Sequence, residues 1–272
     1  MQRCGFRQHR IWLLAGTGDG PPLAAAMIRH GWRVTVSVVT AAASRAYAGL
    51  DLDQIRIGAL QGPDAIRTEL QVEPGFHWVV DATHPFASQI SADLKQACTD
   101  CDQPLLRFER PQESGGSVHL LTALDGLAQC SLSGRRVFLA IGGRHLPLAH
   151  EAAREAGAEV FARCLPSTAG LRLALAAGLL LDHLAVLRPL QGEPPGAIER
   201  ALCRRWHINT VICRQSGGVT ERLWRQLSQD LNLDLLLLRR PSRPADVATV
   251  ETEADLLCRL SGAQLPPSTD HR

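Results

Sequence analysis

The chain has 272 residues, of which 45% are hydrophobic and 21% are charged. This balance is typical of a globular protein with one large or two ordinary domains, and it excludes general disorder. The formal net charge is only +2, so a nucleic-acid partner, which usually needs a clustered basic excess, is not predicted. The longest uninterrupted apolar run, near residues 173–181, is shorter than the roughly 18–20 residues that cross a bilayer, and no membrane partner is predicted.

Cysteine usage and the N-terminus both predict a cytoplasmic protein. The eight cysteines form no dense framework, which is typical of reduced thiols. Arg3, Arg7 and Arg10 precede only five apolar residues before a glycine-rich stretch begins, so we expect no signal peptide. Cys98 and Cys101 have no companion pair of ligands, so no zinc site and no other metal is predicted.

Short apolar runs alternate with helical patterns along the chain. Strands are predicted at 10–15, 33–39, 54–57, 77–81 and 104–108, with helices at 21–30, 63–70 and 85–97. After a polar segment at 111–117, strands are predicted near 137–141, 159–162, 183–187, 209–213 and 234–238, with helices near 145–156, 168–177, 195–206, 219–231 and 251–260. Such alternation implies right-handed crossovers and parallel sheets. We therefore predict an α/β protein of two Rossmann-like domains, a nucleotide-binding one at 1–113 and another at 114–272, with a substrate cleft between them.

A glycine-rich turn, Gly16-Thr17-Gly18-Asp19-Gly20, joins the first predicted strand to the first helix. Glycines at this place permit a tight turn and let a phosphate approach the backbone amides at the positive end of the helix. The spacing departs from the G-x-G-x-x-G dinucleotide pattern. An ordinary strand-to-helix turn is the alternative interpretation.

The end of the second predicted strand bears on the choice of dinucleotide. Folds that prefer NAD usually carry an acidic residue there, whereas this chain has Thr40, Ser44 and Arg45 and no carboxylate. Hydroxyls and an arginine favour the 2′-phosphate of NADP. A loop of small residues with a solvated arginine is the alternative.

Asp81, Thr83 and His84 follow the fourth predicted strand, and Pro85 is expected to be the first helical residue. Open α/β sheets bind ligands at the carboxyl ends of their strands. A carboxylate, a hydroxyl and an imidazole at that edge are suited to orienting a substrate or supplying a proton. In the alternative interpretation Thr83 or His84 caps the helix and Asp81 ties the turn together.

The fifth predicted strand ends in two arginines, Arg107 and Arg110, that flank Glu109. Alternation along an extended chain places the two arginines on different sides. We therefore expect one of them to pair with Glu109 and the other to face a ligand, with a solvated surface pair as the alternative.

Together these motifs resemble the precorrin-6A reductase family of cobalamin biosynthesis, which includes the cobalt-precorrin-6A reductases. The stretch 81–87 (Asp-Ala-Thr-His-Pro-Phe-Ala) matches its most distinctive signature, and the glycine turn resembles its nucleotide loop. Residues 107–111 match its Arg-Tyr-Glu-Arg-Pro stretch with phenylalanine in place of tyrosine. Weaker similarities follow at 141–143, 163–166, 214–218 and 239–241. The chain departs from the family at 187–191 (Leu-Arg-Pro-Leu-Gln), where many members read Gly-Pro-Phe.

The resemblance implies a cytoplasmic oxidoreductase that reduces one double bond of the precorrin-6A macrocycle with hydride from a nicotinamide cofactor, giving precorrin-6B. It implies NADPH, with NADH as the alternative, and a monomer or small homo-oligomer. Asp81 and His84 are the catalytic candidates, with His84 or solvent as the proton donor. The cofactor candidates are Gly16, Thr17, Gly18, Asp19, Gly20, Thr40, Ser44, Arg45 and Gly58. The candidates for the polycarboxylate tetrapyrrole-derived substrate are Thr83, Arg107, Arg110, Gly142, Arg144, Arg163, Arg188, Arg214, Ser216 and Gly217.

Two other functions fit the same features. One is another nicotinamide-dependent oxidoreductase, or a sugar-nucleotide enzyme, on the same architecture. The other is a non-catalytic protein that binds a tetrapyrrole or a nucleotide. Whether the macrocycle arrives with or without cobalt is left open by these motifs.

Overall fold

The computed structural model describes residues 9–262. Arg3 and Arg7, which were considered above as part of a signal peptide, lie outside the described residues. The described strands are β1 (Arg10–Ala15), β2 (Arg33–Val38), β3 (Gln54–Ile57), β4 (Trp78–Ala82), β5 (Leu105–Phe108), β6 (His119–Leu121), β7 (Arg136–Ala140), β8 (Glu159–Cys164), β9 (Leu184–Val186), β10 (Thr210–Arg214), β11 (Asp234–Leu238) and β12 (Ala248–Val250). The described α-helices are α1 (Gly20–Arg29), α2 (Ala41–Ser44), α3 (Gly62–Leu70), α4 (Ser88–Asp100), α5 (Leu146–Glu155), α6 (Thr168–Ala176), α7 (Ala197–Arg205), α8 (Val219–Leu231) and α9 (Glu253–Leu260). Between residues 9 and 262, no helix has both the length and the apolar character that crossing a membrane requires.

The predicted elements are present, and the differences lie in short segments. Strands β6 and β12 and helix α2 were not predicted. Each strand has three residues and the helix has four, which is too short to show a periodic hydrophobic pattern. Helix α4 begins at Ser88 rather than at Pro85. Residues 84–87 form a separate turn instead, in which the Ala87 amide donates to the His84 carbonyl at 2.7 Å.

The first of two compact units contains the described residues up to Pro111 and those from Pro241 onward. Its sheet has the order β12-β5-β4-β1-β2-β3, and all neighbouring strands are parallel. Starting from β3, this is the 3-2-1-4-5-6 order of dinucleotide-binding Rossmann sheets, with β12 in the sixth place. The order reverses between β1 and β4, so the carboxyl ends of these two strands flank the crevice where such sheets bind ligands.

The second unit, Gln112–Arg240, repeats this arrangement. Its parallel sheet has the order β6-β11-β10-β7-β8-β9. The reversal lies between β7 and β10. Strand β6, the first of this unit along the chain, takes the outer place that β12 takes in the first sheet.

The chain passes between the units twice, after Pro111 and after Arg240. The first passage lies close to the predicted boundary after residue 113. The second differs from the prediction, which assigned the whole of 114–272 to the C-terminal domain. Strand β12 instead pairs with β5, with Thr249 opposite Arg107, and no local pattern signals such a long-range return. The cleft expected between the domains stays a prediction.

Strand β1 is buried on both faces, which explains its unbroken apolar sequence. Ile11 and Leu13 belong to a core cluster with residues of α1 and α9, whereas Trp12 and Leu14 belong to one with residues of α3 and α4. Successive side chains of a strand point to opposite faces, so the strand serves two clusters at once. The indole nitrogen of Trp12 also donates to Ser37 Oγ at 2.8 Å. This packing fixes the end of β1, from which the glycine turn leaves.

Candidate active site

The glycine turn (residues 16–20) lies beside the loop that follows β4, here called the signature loop (residues 81–87). Ala15 and Ala82 are register partners at the ends of β1 and β4. A Cβ added at Gly16 would lie 3.6 Å from the backbone nitrogen of His84 and 3.8 Å from Thr83 Cα. The two motifs that the sequence placed at one sheet edge are therefore in contact at the point where the strand order reverses.

The glycines of this turn differ in what surrounds them. No described heavy atom lies within 4 Å of a Cβ added at Gly18, and its φ lies outside the left-handed region. A Cβ at Gly20 would instead overlap the Tyr47 hydroxyl and lie 2.7 Å from Ala15 Cβ. Gly20 therefore packs the turn onto the core. Gly18 leaves open space, which a ligand close to the backbone requires.

The start of α1 offers few amide donors. Pro21 and Pro22 stand in its first turn and carry no N–H. The Gly20 amide donates to the Thr17 carbonyl at 3.3 Å, and the Leu23 amide donates to the Asp19 carbonyl at 3.1 Å. The expectation that the helix start itself presents its amides to a phosphate is corrected accordingly, because its first-turn amides are missing or engaged.

Asp19 is the charged residue of the turn, and it is ion-paired. Thr17 Oγ1 donates to Asp19 Oδ2 at 2.8 Å, and Arg110 Nε lies 2.7 Å from the same oxygen. Arg110 was predicted to bind a substrate carboxylate. In the structure it instead links the segment after β5 to the glycine turn.

Tyr47 supports the turn through a buried phenol whose pKa burial raises from 10.0 to about 12. The folded state holds this proton more tightly than the unfolded chain, so the stability it contributes is complete below pH 10 and is lost as the pH rises through 12. We expect the free energy of unfolding of the wild type to fall over this window by roughly 2–3 kcal/mol more than that of Tyr47→Phe. Urea titrations at both ends of the window measure this, and equal losses in the two proteins would contradict it.

The predicted cofactor residues after β2 and β3 are found at the carboxyl ends of those strands. Thr40 Oγ1 accepts from the Ala43 amide at 3.2 Å and caps the short helix α2. Ser44 is half-buried and Arg45 is exposed. Gly58 has a φ of +137°, a conformation that glycine adopts at little cost, and a Cβ there would meet open space. Their contact with a cofactor stays a prediction.

The carboxylate of Asp81 is buried and ties the signature loop together. One oxygen, Oδ1, accepts from the Thr83 amide at 3.0 Å and from the Thr83 hydroxyl at 2.6 Å. The other, Oδ2, accepts from Arg107 Nη1 at 2.6 Å. Asp81 is 2% exposed, so the structure favours the interpretation in which it orders the loop over the one in which it acts on a substrate.

Arg107 lies inside the first unit, 2% exposed. Besides Asp81, it donates from Nη1 to Ser91 Oγ at 2.7 Å and from Nε to Glu109 Oε2 at 2.7 Å. Arg243, on the returning segment, donates to Glu109 Oε1 at 3.2 Å. The predicted pairing of one arginine with Glu109 is confirmed. The expectation that Arg107 meets a substrate carboxylate is corrected, because its guanidinium is buried between two carboxylates of the protein.

His84 is half-buried within the signature loop. The Phe86 amide donates to His84 Nδ1 at 3.1 Å, which places the proton of the neutral ring on Nε2. Ala87, not His84 or Thr83, precedes the first residue of α4, and it makes no side-chain cap. His84 therefore stabilises the turn at 84–87 and carries an N–H donor at Nε2.

At the corresponding edge of the second sheet lie three predicted arginines, two of which lower the pKa of the third. A Cβ added at Gly142, whose φ is +88°, would lie 3.6 Å from Arg214 Nη2. Burial, reinforced by the charges of Arg163 and Arg144, lowers the pKa of Arg214 to about 10. Burial also lowers the pKa of Arg163, and its Nε atom is buried with no hydrogen-bond partner among the described residues. The cluster of Arg144, Arg163 and Arg214 thus concentrates positive charge, which the carboxylate of Glu199 partly offsets at Arg163.

Other predicted residues of the second unit have different roles. The amide of Gly217, a predicted substrate residue, donates to Glu221 Oε2 at 2.7 Å. Glu221, 1% exposed, was missed, although a glutamate at the third position of a helix is a known capping signal. Ser216 is buried and Arg188 is exposed after β9. Their contact with a substrate stays a prediction.

The chain has the fold of a Rossmann-like α/β protein of the dinucleotide-binding class. Both parallel sheets have the Rossmann strand order. The glycine turn lies where the strand order of the first sheet reverses, and the arginine cluster lies where that of the second sheet reverses. Residues 10–260 match the family described as "Precorrin-6x reductase CbiJ/CobK". The chain belongs to that family, and the resemblance seen in its motifs is confirmed.

Individual relatives agree with this assignment. A cobalt-precorrin-6A reductase of Synechocystis sp. (strain ATCC 27184 / PCC 6803 / Kazusa) is 31% identical, over 92% of this chain and 95% of its own. A precorrin-6A reductase of Mycobacterium tuberculosis (strain ATCC 25618 / H37Rv) is 29% identical, over 89% and 93%. A solved structure titled "CobK precorrin-6A reductase" has a TM-score of 0.71 and 24% identity, covering 96% of this chain and 99% of that one, and supports the fold. The chain is accordingly an oxidoreductase of cobalamin biosynthesis that works with a nicotinamide cofactor.

Proposed function

We propose that this chain reduces one double bond of precorrin-6A, or of its cobalt-containing form, with a hydride from NADPH, giving the precorrin-6B level of reduction. The observation that carries the proposal is the open glycine turn in contact with the signature loop, in a chain that belongs to the precorrin-6x reductase family. The reduction is expected to take place in the cytoplasm, the compartment that the cysteine usage of the sequence predicts.

The first unit fits a dinucleotide. Open space next to Gly18 accommodates a phosphate near the backbone, and the turn amides of Thr17 and Gly18 are the donors we assign to it. No carboxylate follows β2, where Thr40 and the exposed Arg45 stand, which favours a 2′-phosphate and hence NADPH over NADH. When bound, the cofactor supplies the hydride, and the protein supplies orientation and charge.

The second unit fits a polycarboxylate. Arg163 and Arg214 are partly buried, and their lowered pKa values reflect positive charge that water solvates poorly. A carboxylate paired with either guanidinium would relieve this penalty, and each such contact contributes about 1.5–3 kcal/mol. We therefore assign the acetate and propionate groups of the macrocycle to the cluster of Arg144, Arg163 and Arg214.

The signature loop is the proposed source of the proton. A conjugated imine accepts hydride more readily when a ring nitrogen is protonated, and His84 Nε2–H, or solvent, is the donor we propose. Asp81 holds Thr83 and so keeps the loop that carries His84 in one conformation. Asp81 is thus proposed as a positioning residue rather than as an acid or base.

Two glycine variants separate cofactor binding from folding. Gly18→Ala places its methyl group in the space assigned to the phosphate, so we expect the Kd for NADPH to rise about tenfold, equivalent to about 1.4 kcal/mol, without loss of stability. Gly20→Ala, the matched control, forces the methyl group against Tyr47 and Ala15 and is expected to destabilise the protein by about 1–3 kcal/mol. Fluorescence titration with NADPH and urea unfolding measure the two effects. Unaltered NADPH affinity in Gly18→Ala would contradict the assignment of the turn.

The proposed reaction is tested with purified protein, NADPH and either precorrin-6A or cobalt-precorrin-6A. We expect NADPH to be oxidised only when a macrocycle is present, together with a shift of the visible absorption of the macrocycle. Turnover of a smaller anion with the macrocycle ignored would indicate a different nicotinamide oxidoreductase. Macrocycle binding without NADPH oxidation would indicate a non-catalytic binding protein.

A further inference from the structure

Asp19 presents an electrostatic conflict within the glycine turn. Its carboxylate precedes the first residue of α1 but makes no side-chain hydrogen bond to the amides of that helix. A negative charge at a helix start is favourable for the helix alone. It is unfavourable for a second anion at the same place, and the pyrophosphate of a dinucleotide is such an anion.

The helix start does little to offset this repulsion. Pro21 and Pro22 remove two amide donors from its first turn. The charge balance at the turn therefore depends more than usual on side chains. The cation that the described contacts place there is Arg110, whose Nε lies 2.7 Å from Asp19 Oδ2.

The pair is positioned to act near a ligand rather than within the core. The side chains of Arg110 and Asp19 are 19% and 28% exposed, whereas those of Arg107 and Asp81 are both 3% exposed. Thr17 Oγ1 donates to the same carboxylate oxygen at 2.8 Å, so the carboxylate stays in the turn next to the open space at Gly18.

We propose that Arg110 is a positioning residue for the cofactor: by pairing with Asp19 it cancels the negative charge that the glycine turn would otherwise present to the pyrophosphate. The inference rests on the proposed use of NADPH at this turn. It replaces the expected role of Arg110 as a ligand of substrate carboxylates, and it makes the effect of Arg110 depend on Asp19.

The test is a double-mutant cycle on NADPH binding, with Arg110→Ala, Asp19→Asn and the double variant. Asparagine has the same shape as aspartate and keeps an oxygen that can accept from Thr17. Asp19→Asn therefore removes the negative charge and changes little else in the turn. In Arg110→Ala we expect the Kd and KM for NADPH to rise about tenfold, with a smaller change in the KM for the macrocycle and in kcat. The double variant is expected to return to within about twofold of the wild-type Kd, and Arg110→Lys is expected to recover part of the loss.

Arg67→Ala is the control, since Arg67 forms an ion pair with Asp100 at 2.7 Å on α3 and α4 of the same unit. Its NADPH affinity is expected to equal that of the wild type. If Arg110→Ala raises only the macrocycle KM, or if Asp19→Asn restores nothing, the inference is overturned. A wild-type protein that does not bind NADPH would overturn the proposed function instead, so the two failures are distinguishable.

Discussion

Replacing Arg107 with methionine is expected to lower the free energy of unfolding by about 3–5 kcal/mol, the usual effect of breaking a buried ion pair from one side. The guanidinium binds Asp81 and Glu109, and all three side chains are at most 3% exposed. Methionine has a similar length but no charge, so Asp81 is left buried without the arginine that neutralises it. The Asp81 carboxylate also holds Thr83, and we therefore expect reductase activity to fall together with stability.

Urea unfolding of the purified variant measures this effect. Arg67→Met is the matched control, because Arg67 pairs with Asp100 at the surface and exposed pairs contribute about 0–1 kcal/mol. In Arg107→Met, the further change Asp81→Asn is expected to recover part of the lost stability by removing the buried charge. If Arg107→Met were as stable as Arg67→Met, the buried network would have no structural importance.

Replacing Arg163 and Arg214 together with alanine is expected to weaken macrocycle binding strongly and to change stability little, the opposite of what we expect for Arg107→Met. Each lost charge-assisted contact is worth about 1.5–3 kcal/mol, so the KM for the macrocycle should rise by about two orders of magnitude or more. Stability should change little, because burial already lowers the pKa values of both arginines and the charge of Arg163 lowers that of Arg214 further, whereas the attraction between Arg163 and the buried Glu199 is lost. The affinity for NADPH is expected to be unaltered.

Steady-state kinetics with varied macrocycle, NADPH titration and urea unfolding together check this pattern. Arg204→Ala, an exposed arginine of α7 in the same unit, is the control for loss of positive charge. Unaltered macrocycle KM in the double variant would contradict the assigned substrate site. A large loss of stability would show that the cluster is structural.

The sequence predicted the elements whose information is local. Strand β1 has an apolar run of its own, and the turn that follows it has its own glycines. The contact of Gly16 with the signature loop follows because parallel strands end at the same edge of a sheet. The return of β12 to the first sheet could not be predicted, because three residues carry no periodicity and pairing over more than a hundred residues leaves no local trace. For the same reason Arg243 was not expected beside Glu109.

Within the site, the sequence predicted which residues are close but not which are buried. Asp81, Arg107 and Arg110 were all correctly placed at strand ends, yet their roles depend on exposure. Asp81 and Arg107 form an ion pair that is buried inside the first unit, whereas the side chain of Arg110 lies nearer the surface. Spacing alone does not distinguish an arginine that binds a ligand from one that neutralises a carboxylate of the protein.

The most direct test of the central claim follows the hydride itself. Wild-type protein is supplied with NADPH deuterated at the transferable position of the nicotinamide, and the reduced macrocycle is examined by mass spectrometry. We expect one deuterium in the product for each molecule of labelled NADPH consumed, and none when unlabelled NADPH is used in deuterium-free buffer. Reduction of the macrocycle without label from the cofactor, or no reduction at all, would contradict it.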